Sequence, residues 1–492
     1  MTRLHALAMV EAAVERFVGH RCGAARALDE AVAVAEGSAE VEALARAVRG
    51  VVTTVRLGLA GAVGLREDLP MDSASAAAAS TAAAALADST REARAAAAYA
   101  SWLEHWSARR VAQSAAALEQ LMLTDPTDSL GLALLHHTYA AAGDTANLSH
   151  CVGRVMPFWD TRTPGFVDML TMRSSALLES GGSASAEVAH DIAMNALEHD
   201  PTHSPAILAA AFAFDATGRY REGLRFLREV EADWQFDPME AASADDGRAA
   251  LAQARRINSV WISFELEEGN EDAAMRRYDG EIGDDLPADD VASLVDVTNA
   301  LGRLHFAGLP VDQRWDELAA AWSTGVAPGE PLCAMASASR ALTLSLSSTG
   351  GDGSDAASKR QHDGDEDYCA AVASAQVDPA GALEILTGPQ RSRAARRLGG
   401  FRFQRELFDW HLPTDCALRS PRPSDALVAR ALLAERTAER PQCARTWWRL
   451  SDTLDHVDET LLTAEAEASG VGNSARQTAV SLGYGCGPWG AH

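Results

Sequence analysis

Apolar residues recur three or four positions apart along most of the chain. The spacing is clear in Val10, Val14 and Phe17, and again in Ile257 and Trp261. This period places apolar side chains on one face of a helix. Glycine and proline interrupt the pattern at short intervals, which indicates short helices joined by tight turns. The sequence therefore predicts an all-α chain.

One stretch of the sequence occurs twice. Asp125-Pro126-Thr127-Asp128-Ser129 returns as Asp200-Pro201-Thr202-His203-Ser204, an offset of 75 because 200 − 125 = 75. Glycine, valine and tryptophan residues farther along the chain recur at the same offset. This period is about two helical hairpins of the 34 to 40 residue kind. We therefore predict an α-solenoid of tetratricopeptide-like (TPR-like) antiparallel helix hairpins in a right-handed superhelical array.

The repeated positions are expected to be structural. Proline fits the first turn of a helix because it has no N–H to lose there. Glycine between two apolar segments can take positive φ and close the first helix. Tryptophan kept at one register is expected to pack one hairpin on the next, in preference to binding a ligand. The structural repeat positions are Pro126, Gly143, Trp159, Pro201, Gly218 and Trp234.

Changes in composition divide the chain into five predicted parts. They are 1–90, N-terminal helices; 91–346, the helical repeat array; 347–367, a disordered acidic and glycine-rich insertion; 368–469, C-terminal helical repeats; and 470–492, a flexible tail. The Ala/Ser-rich run at 73–87 has helix propensity but few large side chains to anchor it, so its order stays open.

The formal net charge of −26 sets limits on the partner. Nucleic acid and anionic membranes are bound through basic patches, so neither is an expected partner. Of the 43 basic residues, all but Lys359 are arginine. A P-loop or a Schiff base needs a placed lysine. No catalytic motif, metal-ligand pattern or cofactor motif was found, so we predict no catalytic residues, no metal and no cofactor.

Seven cysteines are scattered singly, without a C-x-x-C pair. This usage is typical of a reducing compartment. The start of the chain has too short an apolar run for a secretory signal, and no uncharged run is long enough for a membrane span. We expect a cytoplasmic protein.

Two features are candidates for function. The arginine-rich region around Arg225, Arg228, Arg256 and Arg277 is the densest basic region of an acidic chain, and arginine forks suit carboxylates. It predicts a groove for an acidic peptide, although salt bridges to nearby glutamates explain the arginines at least as well. His136 is the second candidate, as part of a ligand or metal pocket. The alternative is a histidine that is buried and hydrogen-bonded in the core.

Besides the repeated Asp-Pro-Thr turns, the chain contains in order the segments His136–Gly143, Pro157–Asp160, Gly218–Leu224, Gly269–Asp279, Gly308–Trp315, Gly399–Phe408 and Val428–Arg436. Together these segments resemble the tetratricopeptide repeat protein 38 family. The resemblance implies an α-helical repeat fold and no settled biochemical activity. Members of that family carry histidines on two neighbouring helices. The corresponding positions here are Leu208, Phe212, Phe214, Arg256 and Val260, so this chain lacks most of any pocket those histidines form.

We therefore expect a non-catalytic scaffold that binds a protein or peptide partner through its helical array. The alternative is an enzyme or a metal- or ligand-binding protein with a pocket around His136. A homo-oligomer is neither supported nor excluded by the sequence, and the identity of the partner and its pathway cannot be predicted.

Overall fold

The computed structural model describes residues 2–18, 24–34, 39–54, 90–108, 110–234, 244–283, 286, 290–325, 334–348, 365–388, 398–422, 424–461 and 477–478. Within these ranges every regular element is helical and no strand occurs, which confirms the predicted all-α class. Consecutive helices pack on each other, as expected for helical hairpins. None of the helices in these ranges combines the length and the apolar character that a bilayer span requires.

Some predicted segments lie outside the described ranges. They include the Ala/Ser-rich run 73–87, residues 349–364 of the predicted insertion and most of the predicted tail. The two ends of the insertion are described. Ser347 and Ser348 directly follow one helix, and Asp365 begins the next. The five-part division of the chain stays a prediction.

The chain folds into two compact units. Unit 1 comprises residues 1–180, 188–209 and 232–254, and unit 2 comprises 181–187, 210–231 and 255–492. The helices that begin in unit 1 are α1 (Thr2–Val18), α2 (Ala24–Val34), α3 (Ala39–Thr54), α4 (Arg91–Ser107), α5 (Val111–Thr124), α6 (Ser129–Ala141), α7 (Thr145–Val155), α8 (Phe166–Ser180), α10 (Ser204–Thr217) and α13 (Ala244–Glu267). The short helix α12 (Glu231–Trp234) belongs to unit 1 from its second residue onward. A 3-10 turn, Met156–Phe158, follows α7.

Unit 2 holds the remaining helices and the later parts of α10 and α13. These helices are α9 (Ser183–His199, which continues into unit 1), α11 (Tyr220–Glu229), α14 (Glu271–Arg277), α15 (Val291–Phe306), α16 (Asp312–Gly325), α17 (Ala334–Leu346), α18 (Asp365–Ser374), α19 (Pro379–Leu386), α20 (Arg402–Glu406), α21 (Leu412–Arg419), α22 (Asp425–Glu439) and α23 (Ala444–Leu461). Two π-helical turns, Tyr278–Ile282 and Leu407–His411, extend α14 and α20. The helices from α15 to α22 pack around a core of leucine, alanine and tryptophan side chains.

The two Asp-Pro-Thr turns have the same backbone geometry. Asp128 N–H donates to the Asp125 carbonyl at 3.3 Å, and His203 N–H donates to the Asp200 carbonyl at 3.2 Å. Each turn also caps the helix that follows. Asp128 Oδ1 accepts from Gly131 N–H at 2.7 Å, and His203 Nδ1 accepts from the equivalent N–H in its own helix at 3.2 Å. The second copy therefore keeps the cap while replacing a carboxylate by an imidazole.

The other repeated residues lie in equivalent places. Gly143 and Gly218 follow α6 and α10 with φ of 65° and 73°, a backbone region that favours glycine. Trp159 and Trp234 are both buried. The Trp159 indole donates from Nε1 to the carbonyl of Pro126 at 2.8 Å, which fastens the 3-10 turn to the Asp-Pro-Thr turn of its own copy.

A third turn of this kind occurs before α23. Cys443 N–H donates to the Arg440 carbonyl at 3.0 Å across Pro441, and α23 begins at Ala444. Here arginine stands where the first two turns carry aspartate. Pro441 is the one residue that this turn shares with the first two turns, so the sequence pattern did not reveal it.

Candidate functional site

Two of the predicted arginines meet on one surface of unit 2. Glu265 of α13 accepts a hydrogen bond from Arg228 of α11 at 3.1 Å, and the same oxygen accepts from Trp261 Nε1 at 3.1 Å. The other oxygen of Glu265 accepts from Asn270 at 2.7 Å. Glu265 is therefore held in place by its own helix and the following turn, and it positions Arg228. The Arg228 side chain stays 57% exposed, so it can still contact a partner.

Arg277 lies over the face of the Trp261 ring. Its guanidinium carbon is 3.6 Å from the centroid of the Trp261 ring, a cation–π contact. Nη1 donates to Asn258 Oδ1 at 2.8 Å, and Nη2 lies 3.5 Å from Glu231 Oε1. Burial lowers the pKa of Arg277, with Glu231 opposing the shift, but arginine stays charged in proteins. We call Arg225, Arg228 and Arg277 the arginine surface; Trp261, which is buried, supports it from inside.

Arg225 is an exposed member of this surface. It lies one helical turn before Arg228. The described residues offer it no carboxylate within ion-pair distance. By contrast, Arg228 and Arg277 each have a glutamate partner, as the salt-bridge alternative expected. Exposed ion pairs are worth about 0–1 kcal/mol, so a partner carboxylate can compete for these arginines.

The structure places Arg256 away from the arginine surface. Its side chain is in the interior of unit 2, where Nε donates to Asp296 Oδ2 of α15 at 3.0 Å. The other oxygen of Asp296 accepts from Gln404 Nε2 at 2.5 Å. Because Arg256 is buried and paired with Asp296, it cannot contact a peptide, and the arginine surface does not include it. The sequence contains a signal for this position: Arg256, Val260 and Phe264 follow one another at intervals of four, on a buried stripe.

The positions that the resemblance aligns with histidines hold mainly apolar, buried side chains here. Phe212 contacts Phe401 and Phe403, with ring centroids 4.7 and 5.5 Å apart. Leu208 and Val260 have no exposed area. With Arg256 ion-paired to Asp296, these positions offer no metal ligand. No group of three or more His, Cys, Asp or Glu side chains able to hold a metal occurs in the part of the chain that the structure describes.

His136 is buried in α6. Burial is the main reason why its pKa falls to about 3, and the neighbouring His137 lowers it further, while a hydrogen bond with the backbone of Met172 opposes the shift. His136 is therefore neutral at physiological pH. Its Nε2 has no hydrogen-bond partner among the described residues. His137 packs against Trp106, with ring centroids 5.5 Å apart.

Sequence reasoning missed a buried network of charged side chains in unit 2. Its centre is Glu406 at the end of α20, which is 8% exposed. Arg440 forms a double hydrogen bond with this carboxylate, Arg436 donates to Oε2 at 3.3 Å, and Arg303 lies 3.6 Å away. Burial alone would raise the pKa of Glu406, but these arginines outweigh it and hold the pKa well below its usual value. Glu406 is thus ionised.

Two further carboxylates complete the network. Glu267 accepts from Arg436 Nη2 at 3.1 Å and from the Cys443 thiol at 2.9 Å. Asp215 lies 3.1 Å from Arg440 Nη2. Burial raises the pKa of Asp215 despite Arg440, and it raises the pKa of Cys443 to about 12, with Glu267 contributing. The thiol is therefore protonated at neutral pH and is not a nucleophile.

The network joins segments that are distant in sequence. Glu267 and Arg436 are 169 positions apart, and Tyr220, whose hydroxyl accepts from Arg440 at 3.3 Å, is 220 positions from its partner. Each arginine has at least one carboxylate, and each carboxylate has at least one arginine. A network of this kind acts on the fold, because its charges are buried and paired with one another.

Comparison with known proteins adds the following. No family model matches the chain. One solved structure that it resembles is the crystal structure of the APC/C hetero-tetramer Cut9-Hcn1, at 11% identity and a TM-score of 0.27, covering 94% of this chain and 90% of that one. Another is the human IFIT1 dimer with PPP-AAAA, at 11% identity and a TM-score of 0.28, covering 82% of this chain and 93% of that one. Likenesses at this TM-score carry no argument about function, and the similarity to tetratricopeptide repeat protein 38 stays a resemblance.

Proposed function

We propose that this helical-repeat protein is a scaffold that binds an acidic segment of a partner protein on the arginine surface, without catalysing a reaction. The observation that supports the proposal is that Arg228 and Arg277 are both positioned through Trp261. Arg228 is linked to it by way of Glu265, and Arg277 by a cation–π contact, while exposed Arg225 lies one turn before Arg228. Guanidinium groups bind carboxylates with two parallel hydrogen bonds, so arginines held in place on a surface suit an acidic peptide.

The charge of the whole chain narrows the class of partner. At −26 the protein repels polyanions at long range, so phosphate backbones are poor ligands. A short acidic peptide segment needs only a local positive surface. An arginine and a carboxylate in direct contact are little affected by charges elsewhere on the chain, since the Debye length is about 8 Å at physiological salt.

The test compares two double variants of equal charge change. Arg225→Glu with Arg228→Glu reverses the two most exposed members of the surface. Arg422→Glu with Arg430→Glu is the matched control, because both residues are exposed and belong to α22 or the turn before it. Arg256→Glu is unsuitable, since it would place a second carboxylate against Asp296 in the interior.

Each variant is expressed in the protein's own cells, purified gently and weighed by native mass spectrometry. The proposal predicts a stoichiometric second polypeptide on the wild type and on the control, and its loss from the Arg225/Arg228 variant. Equal retention by all three proteins would contradict binding at the arginine surface. A small extra mass on an isolated chain would instead indicate a ligand pocket.

A further inference from the structure

Unit 1 has an open basic groove between α7 and α8, separate from the arginine surface. It has a volume of about 430 Å³ and is lined by Ser149, His150, Gly153, Arg154 and Arg173. Four of these residues lie on one face of α7, at intervals of one, three and four positions. Arg173 reaches into the groove from α8. We call this the α7–α8 groove.

Arg173 is the group in the groove that can hold a ligand. Its Nη1 donates to the carbonyl and to the hydroxyl of Ser149, both at 3.2 Å, which fixes the guanidinium across the helix pair. Neither acceptor is charged, and Nε and Nη2 have no partner among the described residues. A positioned arginine without a carboxylate is notable in a chain with 69 acidic residues. Its remaining donors suit a carboxylate.

Gly153 keeps the groove open beside that arginine. A Cβ atom at this position would lie 3.3 Å from Arg173 Nη1. A larger side chain would therefore occupy the space over the guanidinium. Arg154, the neighbouring residue, is neutralised by an ion pair with Glu119 of α5. The positive charge that stays available in the groove is thus that of Arg173.

Two exposed apolar side chains follow the Arg154–Glu119 ion pair along the chain. Phe158 is 62% exposed and Leu123 is 67% exposed. Phe158 follows Arg154 by four positions, and Leu123 follows Glu119 by four. Since α5 and α7 each pack on α6, which connects them, they run in the same direction, and the Arg154–Glu119 ion pair links them. This spacing points to neighbouring positions for the two apolar side chains, about one helical turn beyond the ion pair.

We propose that the α7–α8 groove binds an extended peptide segment of a partner protein, with a carboxylate side chain on Arg173 and a large apolar side chain on Phe158 and Leu123. The rise from Gly153 to Phe158 is about 9 Å, at about 1.5 Å per residue as far as Val155 and about 2.0 Å per residue along the 3-10 turn. Residues i and i+2 of an extended peptide point to the same side and are about 7 Å apart. The fitting segment therefore has the pattern acidic, any residue, large apolar.

The probe is a set of short fluorescein-labelled peptides with one glutamate and one phenylalanine at varied spacing. A second set has glutamine in place of glutamate. Binding to the full chain is followed by fluorescence anisotropy. Three variants test the groove: Arg173→Ala, Gly153→Leu and Phe158→Ser. Two exposed residues of unit 1 outside it give the controls, Arg162→Ala and Val188→Ser.

The proposal predicts tightest binding for the Glu-x-Phe peptide, and weakening of about tenfold in each groove variant, the size expected for loss of one charged hydrogen bond or one apolar anchor. The controls should bind as the wild type does. If Arg173→Ala fails to fold, Gly153→Leu still tests the proposal, because leucine is a better helix former than glycine. The Arg225→Glu/Arg228→Glu variant should bind normally, which separates this proposal from the one above.

Four results would overturn it. The first is that no peptide of the set binds. The second is that glutamine peptides bind equally well. The third is that the groove variants bind like the controls. The fourth is that inorganic phosphate alone displaces the peptide through Arg173 and binds whether or not Phe158 is present, which would make the groove a simple anion site.

Discussion

Replacing Glu406 by alanine tests the buried network most severely. In the folded protein this carboxylate faces Arg440, Arg436 and Arg303. Once it is removed, Arg440 keeps Asp215 and Arg436 keeps Glu267, but Arg303 keeps only the neutral acceptors Asn299, Ser263 and the Phe403 carbonyl. A buried charge without its partner costs about 3–5 kcal/mol. We therefore expect Glu406→Ala to destabilise unit 2 by this amount.

Thermal unfolding and hydrogen exchange measure the effect together. A loss of about 3–5 kcal/mol lowers the melting temperature of a unit of this size by roughly 10 °C. Hydrogen exchange should accelerate first at residues 402–419 and 436–446, which carry the network or adjoin it. The control is Arg422→Ala, which removes an exposed ion pair with Glu384. Equal melting temperatures for Glu406→Ala and Arg422→Ala would refute the reasoning.

The same network gives a pH dependence with a definite sign. Folding lowers the pKa values of Glu406 and Glu267 from the ordinary value of 4.5, because the arginines outweigh burial. Their contribution is complete above pH 4.5 and is lost as the pH falls below it. The raised pKa of Asp215 acts in the opposite direction. Glu406→Gln should therefore reduce the fall in melting temperature as the pH drops below 4.5.

Further predictions concern the repeat and His136. Alanine at Gly143 must adopt a φ of 65°, which costs about 1–2 kcal/mol, and at Gly218 the new Cβ would also lie 3.2 Å from the Cβ of Arg440. Gly218→Ala should therefore lower the melting temperature more than Gly143→Ala, and the reverse order would contradict the structure. His136 resists protonation in the fold, with a pKa of about 3 against 6.5 in the unfolded chain. Its contribution to stability should decline as the pH falls from 6.5 towards 3, and His136→Leu should remove that decline; an identical pH profile for both proteins would show that His136 is not buried as described.

The sequence predicts this fold well where structure depends on near neighbours. Helix spacing, the glycine turns and the two Asp-Pro-Thr caps involve residues within a few positions of each other, so a single sequence is enough. The sequence pattern did not predict the third turn, where Arg440 replaces aspartate.

The side-chain network was beyond sequence reasoning for a physical reason. Glu406 and Arg440 are 34 positions apart, and Glu267 and Arg436 are 169 apart. Their pairing depends on how whole helices pack. The arginines were grouped by closeness in sequence, which holds for Arg225 and Arg228 on one face of α11. It did not hold for Arg256, whose place on the apolar stripe of α13 takes it into the interior.

The central claim is that a partner protein binds the arginine surface, and native mass spectrometry of the protein from its own cells tests it most directly. The account predicts a stoichiometric second polypeptide that is present on the wild type and on the Arg422/Arg430 control and absent from the Arg225→Glu/Arg228→Glu variant. A second polypeptide that survives the Arg225/Arg228 change, or an isolated chain that carries only a small extra mass, would contradict it.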